Sequence, residues 1–295
     1  MKTVKRSKYP NLTGLLLVSP VLILLFLVIC VPILSTLWLS VQNYTYGRPR
    51  TFVGLENYKD IFADPVFWRS FKNTVWFVLV VVYAELLIGL SIGLLFQKKI
   101  IFKKFMISIV MAPYAVSPVL GSLMWRFILE PEIGVVNLFF QSAGLPQFLW
   151  TVNPSQAFLM IVILSIWLRI PFTFLVLYNA LLGVPKELIE AAKIDGASSS
   201  KAFMSVTLPT IMPAILVSLI FRLIFALRTF DVVWVLTKGG PFRSTELLSV
   251  YLYRRGFTYF EFGVASAVAW VMVLLTIIIG IYYLVAFYRS SMKNA

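Results

Sequence analysis

Six charged side chains stand out within the long apolar stretches of this sequence, away from the start of a run: Glu85, Arg126, Arg169, Arg222, Arg228 and Asp231. A charge at membrane depth costs roughly 2.5–3.5 kcal/mol on insertion scales, so each must be paired, solvated or used. Arg228 and Asp231 are three apart and can neutralise each other if one helix carries both. Glu85 and Arg222 lie mid-run, where pairing across two helices is the structural alternative to a role in a polar path. Arg126 lies near the end of its run and can snorkel to the interface. Arg169 differs, because in SIWLRIPF (165–172) it stands beside Pro171. The missing N–H and the ring of a proline disturb a helix and leave carbonyls facing polar space. Pro113 and Pro118 do the same to an earlier run. Broken helices carrying polar groups suggest a water-accessible cavity, although each proline alone is equally a plain kink.

Other chemistry is excluded by composition. The chain has no His and one Cys, Cys30, which lies in an apolar run. That removes imidazole bases, His-ligated metals, disulfides and cysteine catalysis. No GxxxxGK[ST] nucleotide loop occurs; GASSSKA at 196–202 has a Lys but lacks the second Gly before it. A membrane-embedded transferase would need a His or a clustered acidic motif, and neither is present.

The elements that must position these groups are membrane helices. Of 295 residues 60% are hydrophobic and 13% charged, with a mean hydropathy of +0.90, which is far more apolar surface than one soluble core can bury. Windows long enough for a ~30 Å hydrocarbon core, about 20 residues each, number six. They run roughly over 14–41, 71–96, 105–129, 155–182, 210–236 and 263–288. The sequence predicts an all-α integral membrane protein of six spans, with a domain over 14–288 flanked by short segments 1–13 and 289–295. Six spans put both termini on one side. The terminal segments and the connections 97–104 and 183–209 carry thirteen Lys and Arg, against eight in the longer opposite connections. Both termini are therefore expected to be cytoplasmic. The first span, about 28 residues without a small-residue cleavage site, reads as retained. The formal charge of +14 is then a matter of topology and gives no reason to expect nucleic acid. No internal repeat is evident.

The cytoplasmic connection GVPKELIEAAKIDGASSSKAFMSVTLP (183–209) is the most patterned stretch. Pro185 suits a first helical turn. Leu188, Ile189, Ala191, Ala192 and Ile194 give an apolar surface among Lys186, Glu187, Glu190 and Lys193. Asp195-Gly196 supplies a turn, the serines at 198–200 an N-cap, and Ala202, Phe203 and Val206 a second amphipathic piece. A helix pair this small cannot bury its own apolar face. It must rest on lipid or on a protein partner. Three basic and three acidic side chains, where lipid-surface helices are rich in Lys and Arg, favour the partner.

Glu190-Ala191-Ala192, then Gly196, then Val206 and Leu208-Pro209, resembles the signature of the membrane subunits of binding-protein-dependent ATP-binding-cassette importers, departing only by Val for Ile. FVGLENY (52–58), DPVFW (64–68), PYAVSP (113–118) and FDVVWVLTKGGP (230–241) resemble the carbohydrate branch of that family, typified by the maltose and glycerol-phosphate systems. The resemblance covers nearly the whole chain.

The resemblance implies a type I ABC importer permease fold, no enzymatic activity in this chain, and a bacterial or archaeal cytoplasmic membrane. It implies as partners a second homologous permease subunit, two cytoplasmic ATPases that hold ATP and Mg²⁺, a periplasmic or lipid-anchored solute-binding protein, and a sugar as substrate. It makes Leu188, Glu190, Ala191, Ala192 and Gly196 the coupling residues that dock into the ATPase. It places the solute path at Tyr114, Ser117 or Pro118, Ser165, Leu168, Arg169, Phe172, Ala226 and Thr229. Arg169, where a maltose-specific member has a small residue, argues against maltose and toward a hydroxyl-rich or anionic sugar. The outer loop 237–262 resembles the segment that helps dock the binding protein, or is an ordinary solvated loop. The alternative function is a stand-alone secondary transporter or channel, for which Glu85 and Asp231 are the available coupling carboxylates.

Overall fold

The computed structural model describes residues 10–293, with side chains over 14–285; the segments 1–13 and 289–295, expected to be cytoplasmic, lie outside the residues whose side chains are described. In chain order the helices are α1 (Pro10–Ser40), α2 (Glu56–Ala63), α3 (Pro65–Gln97), α4 (Lys103–Met111), α5 (Pro118–Ile128), α6 (Val135–Ser142), α7 (Pro154–Leu182), α8 (Lys186–Ile194), α9 (Ser199–Ala202), α10 (Leu208–Leu227), α11 (Asp231–Leu236), α12 (Leu248–Tyr253) and α13 (Phe262–Lys293). Among the described residues five helical segments are long and apolar enough to span a membrane, and the bent pair α4–α5 brings the number to six where it is counted as one span.

The chain divides into two compact units, the first holding residues up to Ala63 with Arg255–Trp270. In it, none of the most apolar stretch of α1 is buried, as suits a helix that is hydrophobic all round and faces lipid or another chain. Its end is clipped. Asn57 Nδ2 donates to the carbonyls of Ser40 and Gln42, each at 2.8 Å, and Tyr58 donates to Ser40 Oγ at 2.8 Å. A two-residue antiparallel pair, β1 (Gln42–Asn43) with β2 (Thr51–Phe52), closes the turn between them. The FVGLENY stretch thus satisfies the last carbonyls of a membrane helix.

The second unit is built on α3, α7 and α10, whose facing residues Phe77, Val81, Leu164, Leu168, Leu177, Leu219 and Leu223 form its core. Both long helices start at capped prolines. Asp64 accepts from Val66 N at 2.8 Å ahead of Pro65, and Asn153 accepts from Ser155 N and Gln156 N ahead of Pro154. Tyr251 holds Asp64 from the other side at 2.7 Å. The approach of α3 to α7 depends on Gly89 and Gly93, a small-xxx-small pair. A Cβ at Gly89 would lie 3.0 Å from Thr173 Cγ2 and 3.1 Å from the backbone N of Phe174.

Two predicted spans are interrupted. The run 105–129 bends by 101° between α4 and α5, because Ser117, ahead of Pro118, is forced to extended backbone with ψ 137°. The run 210–236 stops at Leu227 and resumes at Asp231. Ser249 Oγ donates to the Thr229 carbonyl at 2.5 Å and satisfies a group the break exposes. Arg228 and Asp231 therefore do not share a helix, and no ion pair joins them, contrary to the expected i,i+3 pair.

The segment 237–254 is tied down rather than freely solvated. Asn73 Nδ2 donates to the carbonyls of Arg243 and Glu246, Thr74 Oγ1 accepts from Leu248 N at 2.8 Å, and Arg254 donates to the Lys238 carbonyl. Glu246 is fully buried, with Arg254 at 3.5 Å and Arg243 at 3.9 Å.

Candidate functional site

Two features carry the polar residues singled out in the sequence. The first is a cavity of about 210 Å³ between α3, α5, α7, α10 and α11. Ser165, Leu168 and Arg169 of α7 line it, with Thr229 at the break after α10 and Pro118 at the start of α5. These are five of the positions named for the solute path. The other four are not among its lining residues: Tyr114 is 56% exposed and Ser117 is exposed, Phe172 makes an edge contact with Phe221 at 6.2 Å, and Ala226 is buried in the core.

The remaining wall comes from Val81, Phe225, Phe230 and Val232 and from three charged groups, Arg222, Arg228 and Asp231. Depth in the membrane marks these charged residues in the sequence, but the resemblance does not place them in the path. The apolar ones carry no sequence signal that separates a cavity wall from a lipid face.

The geometry follows from the breaks. Pro171 leaves the Trp167 carbonyl without its helical donor at the level of Arg169. The gap after Leu227 lets Arg228, Thr229 and Asp231 face the same space instead of spiralling around one helix. Behind Arg222 stands Glu85, fully buried on α3; the guanidinium Nε lies 2.5 Å from Oε2 and Nη2 lies 2.8 Å from Oε1. This is the pairing across helices that the sequence allowed, in the bidentate form that suits Arg. Arg126, in the last turn of α5, is exposed and donates to the Val235 carbonyl at 3.4 Å, in keeping with a snorkelling end residue. Ser165 Oγ donates back to the Ile161 carbonyl at 2.6 Å.

The second feature is the helix pair α8–α9. Helix α8 starts one residue after Pro185, which caps it, so the predicted first-turn proline lies just outside. No residue of α8 is buried. Leu188, Glu190, Ala191 and Ile194 are exposed, Ile194 at 86%, whereas Ile189 and Ala192 are half-buried and Ile189 touches the core. The apolar surface expected over Leu188–Ala192 is thus split, with its outer part unpartnered.

The turn is closed by backbone bonds from Gly196 N to the Lys193 carbonyl (3.0 Å) and from Ala197 N to the Ala192 carbonyl (2.9 Å). This is the Schellman pattern, and it puts Gly196 at φ +82°. Ser198 Oγ then accepts from Lys201 N and starts α9. The second amphipathic piece does not end; it runs through a π-helical turn (Phe203–Thr207) directly into α10. Helix α9 is therefore continuous with the element that carries Arg222, and the Gly196 turn joins α8 to it.

Residues 65–290 match the family described as Binding-protein-dependent transport system inner membrane component. The chain belongs to that family. It is a transport permease subunit and not an enzyme. The sulfoquinovosyl glycerol transport system permease protein SmoG of Agrobacterium fabrum is 35% identical over 93% of this chain and 90% of its own length. The trehalose/maltose transport system permease protein MalF of Thermococcus litoralis is 34% identical over 92% of each. The sn-glycerol-3-phosphate permease UgpA of Shigella flexneri is 33% identical over 90% of each. In fold, the permease superposes on a chain of a bacterial ABC transporter involved in import of the acidic polysaccharide alginate, with TM-score 0.82 at 22% identity, covering 96% of this chain and 99% of that one. The architecture is that of a type I ABC importer permease, and the multi-pass membrane assignment made from hydropathy stands.

Proposed function

We propose that this permease is one of two membrane subunits of an ATP-driven sugar importer, that its six spans form half of the path, and that α8–α9 is the contact with a cytoplasmic ATPase. The observation that carries the reading is the unpartnered outer face of α8, where Glu190-Ala191-Ala192 leads into the Gly196 turn. Such a face on a short helix needs a protein groove. The chain has no nucleotide loop of its own. The energy then comes from two separate ATPase chains that bind ATP and Mg²⁺, and both termini lie on their side of the membrane. A second, homologous permease completes the path, and a solute-binding protein delivers the sugar near the 237–254 segment.

In this reading closure of the ATPases around ATP moves α8, and the continuous helix from α9 to α10 carries the movement to the cavity. Alternating access results without covalent chemistry in this chain. The sugar class is supported by the relatives, which are permeases named for sulfoquinovosyl glycerol, trehalose and maltose, and glycerol 3-phosphate. An ion-driven carrier would need titrating carboxylates in the path. Glu85 is fully buried and committed to Arg222, which leaves Asp231 alone among the cavity residues.

The test is uptake of labelled sugars by proteoliposomes containing the permeases, the ATPases and the binding protein. Uptake that requires internal-facing ATP and ignores proton and sodium gradients is expected. Uptake driven by either gradient without ATP overturns the reading.

A further inference from the structure

The charge in the cavity is more specific than a sugar path requires. Three guanidinium groups line it, Arg169, Arg222 and Arg228, against one carboxylate, Asp231. Glu85 neutralises Arg222 from behind and occupies its Nε and Nη2, so Nη1 keeps no protein partner among the described residues. Arg169 and Arg228 make no side-chain hydrogen bond or ion pair among the described residues either. Asp231 offsets one of these two charges and leaves a net positive charge in a site that is walled by Val81, Leu168 and Phe225.

An unpaired guanidinium at membrane depth is costly to keep. A structural Arg would be expected to find a carboxylate, as Arg222 does. Arg169 forms no such pair within this chain, and the one carboxylate on the cavity wall, Asp231, stands against Arg228 as well as Arg169. A neutral sugar cannot compensate that charge, since hydroxyls offer dipoles only; an oxyanion accepts from a guanidinium at both oxygens.

We infer that the solute carried through this cavity bears an oxyanion group, a carboxylate, sulfonate or phosphate on a sugar, and that Arg169 is the residue that selects for it. Arg228 supplies the second positive group, and Glu85 is a positioning residue that fixes Arg222 at the wall without spending its Nη1. The inference deepens the reading of the chain as a sugar importer subunit and rests on it.

The experiment uses the complete importer in proteoliposomes with internal-facing ATP. Uptake is compared for two neutral sugars, trehalose and maltose, and three anionic probes, a hexuronate-terminated disaccharide, a hexose 6-sulfonate and a hexose 6-phosphate. Because the binding protein filters solutes first, each probe is also measured for binding to that protein alone, and uptake is expressed per bound probe. At least one anionic probe is expected to enter faster than either neutral sugar on that scale. Arg169→Gln is expected to lower its uptake tenfold or more, and Arg169→Lys to restore at least a third. Co-purification of each variant with the ATPases serves as the check on folding. ATP-driven entry of the neutral sugars alone, or anionic uptake that Arg169→Gln leaves unchanged, overturns the inference while the importer reading stands. Entry of bound probes that depends on an ion gradient and not on ATP overturns both.

Discussion

Arg222 on α10 grips both carboxylate oxygens of Glu85 on α3, with contacts of 2.5 and 2.8 Å between side chains that are almost completely buried. The pair ties the helix that continues from α9 to the helix that packs most closely on α7. Its energetics are those of a buried ion pair, where removing one partner strands the other.

Glu85→Leu or Arg222→Leu alone is expected to cost about 3–5 kcal/mol, and the double substitution to recover most of it. Thermal midpoints of the purified complex in detergent, read as a double-mutant cycle, check this. Additive losses would mean that the two side chains do not interact.

Gly89→Leu forces a side chain into the gap before Thr173 and Phe174, where a Cβ already lies at 3.0–3.1 Å. Overpacking of this kind costs about 1–3 kcal/mol. A lowered midpoint and a reduced membrane level are expected, whereas Gly280→Leu, with open space around its Cβ, is expected to leave both unchanged. Equal effects at the two positions would remove the close α3–α7 approach from the account.

Gly196→Ala meets no neighbour, since nothing lies within 4 Å of the added Cβ, yet φ is +82°. The strain is therefore confined to the backbone, roughly 1–2 kcal/mol. Coupled uptake is expected to fall severalfold with normal membrane insertion, and Gly196→Asn, which tolerates the left-handed region better, is expected to fall less. Alanine and asparagine variants with wild-type uptake would show that the turn need not hold its shape.

Glu190→Lys reverses an exposed charge on α8. The protein is expected to reach the membrane at its normal level while the ATPases no longer co-purify and uptake is lost. Normal co-purification would argue against a coupling role for this residue.

Much of this architecture is legible in the sequence because the signals are local or energetically large. Asp195-Gly196 and the serines at 198–200 announce a turn and a side-chain cap through local chemistry alone, and both occur there. Glu85 and Arg222 stand out because charge at depth demands a partner. The bend between α4 and α5 follows from Pro118 acting on Ser117. The break after Leu227 has no such mark. No proline or glycine stands at 228–230, and the stop depends on contacts such as Ser249 with the Thr229 carbonyl. That hidden break is why Arg228 and Asp231 read as a helical pair and are instead two walls of one cavity. Val81, Phe225 and Val232 were invisible for a different reason, since an apolar side chain looks the same in sequence whether it meets lipid, core or cavity.

The proposed grip of another polypeptide on the outer face of α8 is open to direct test. A photoreactive benzophenone side chain placed at Leu188, which is 51% exposed, reports what lies against it in intact membranes. The account predicts an adduct with a cytoplasmic ATPase subunit whose yield changes when ATP is added. Adducts with phospholipid alone, in membranes where the ATPase is present, would contradict it.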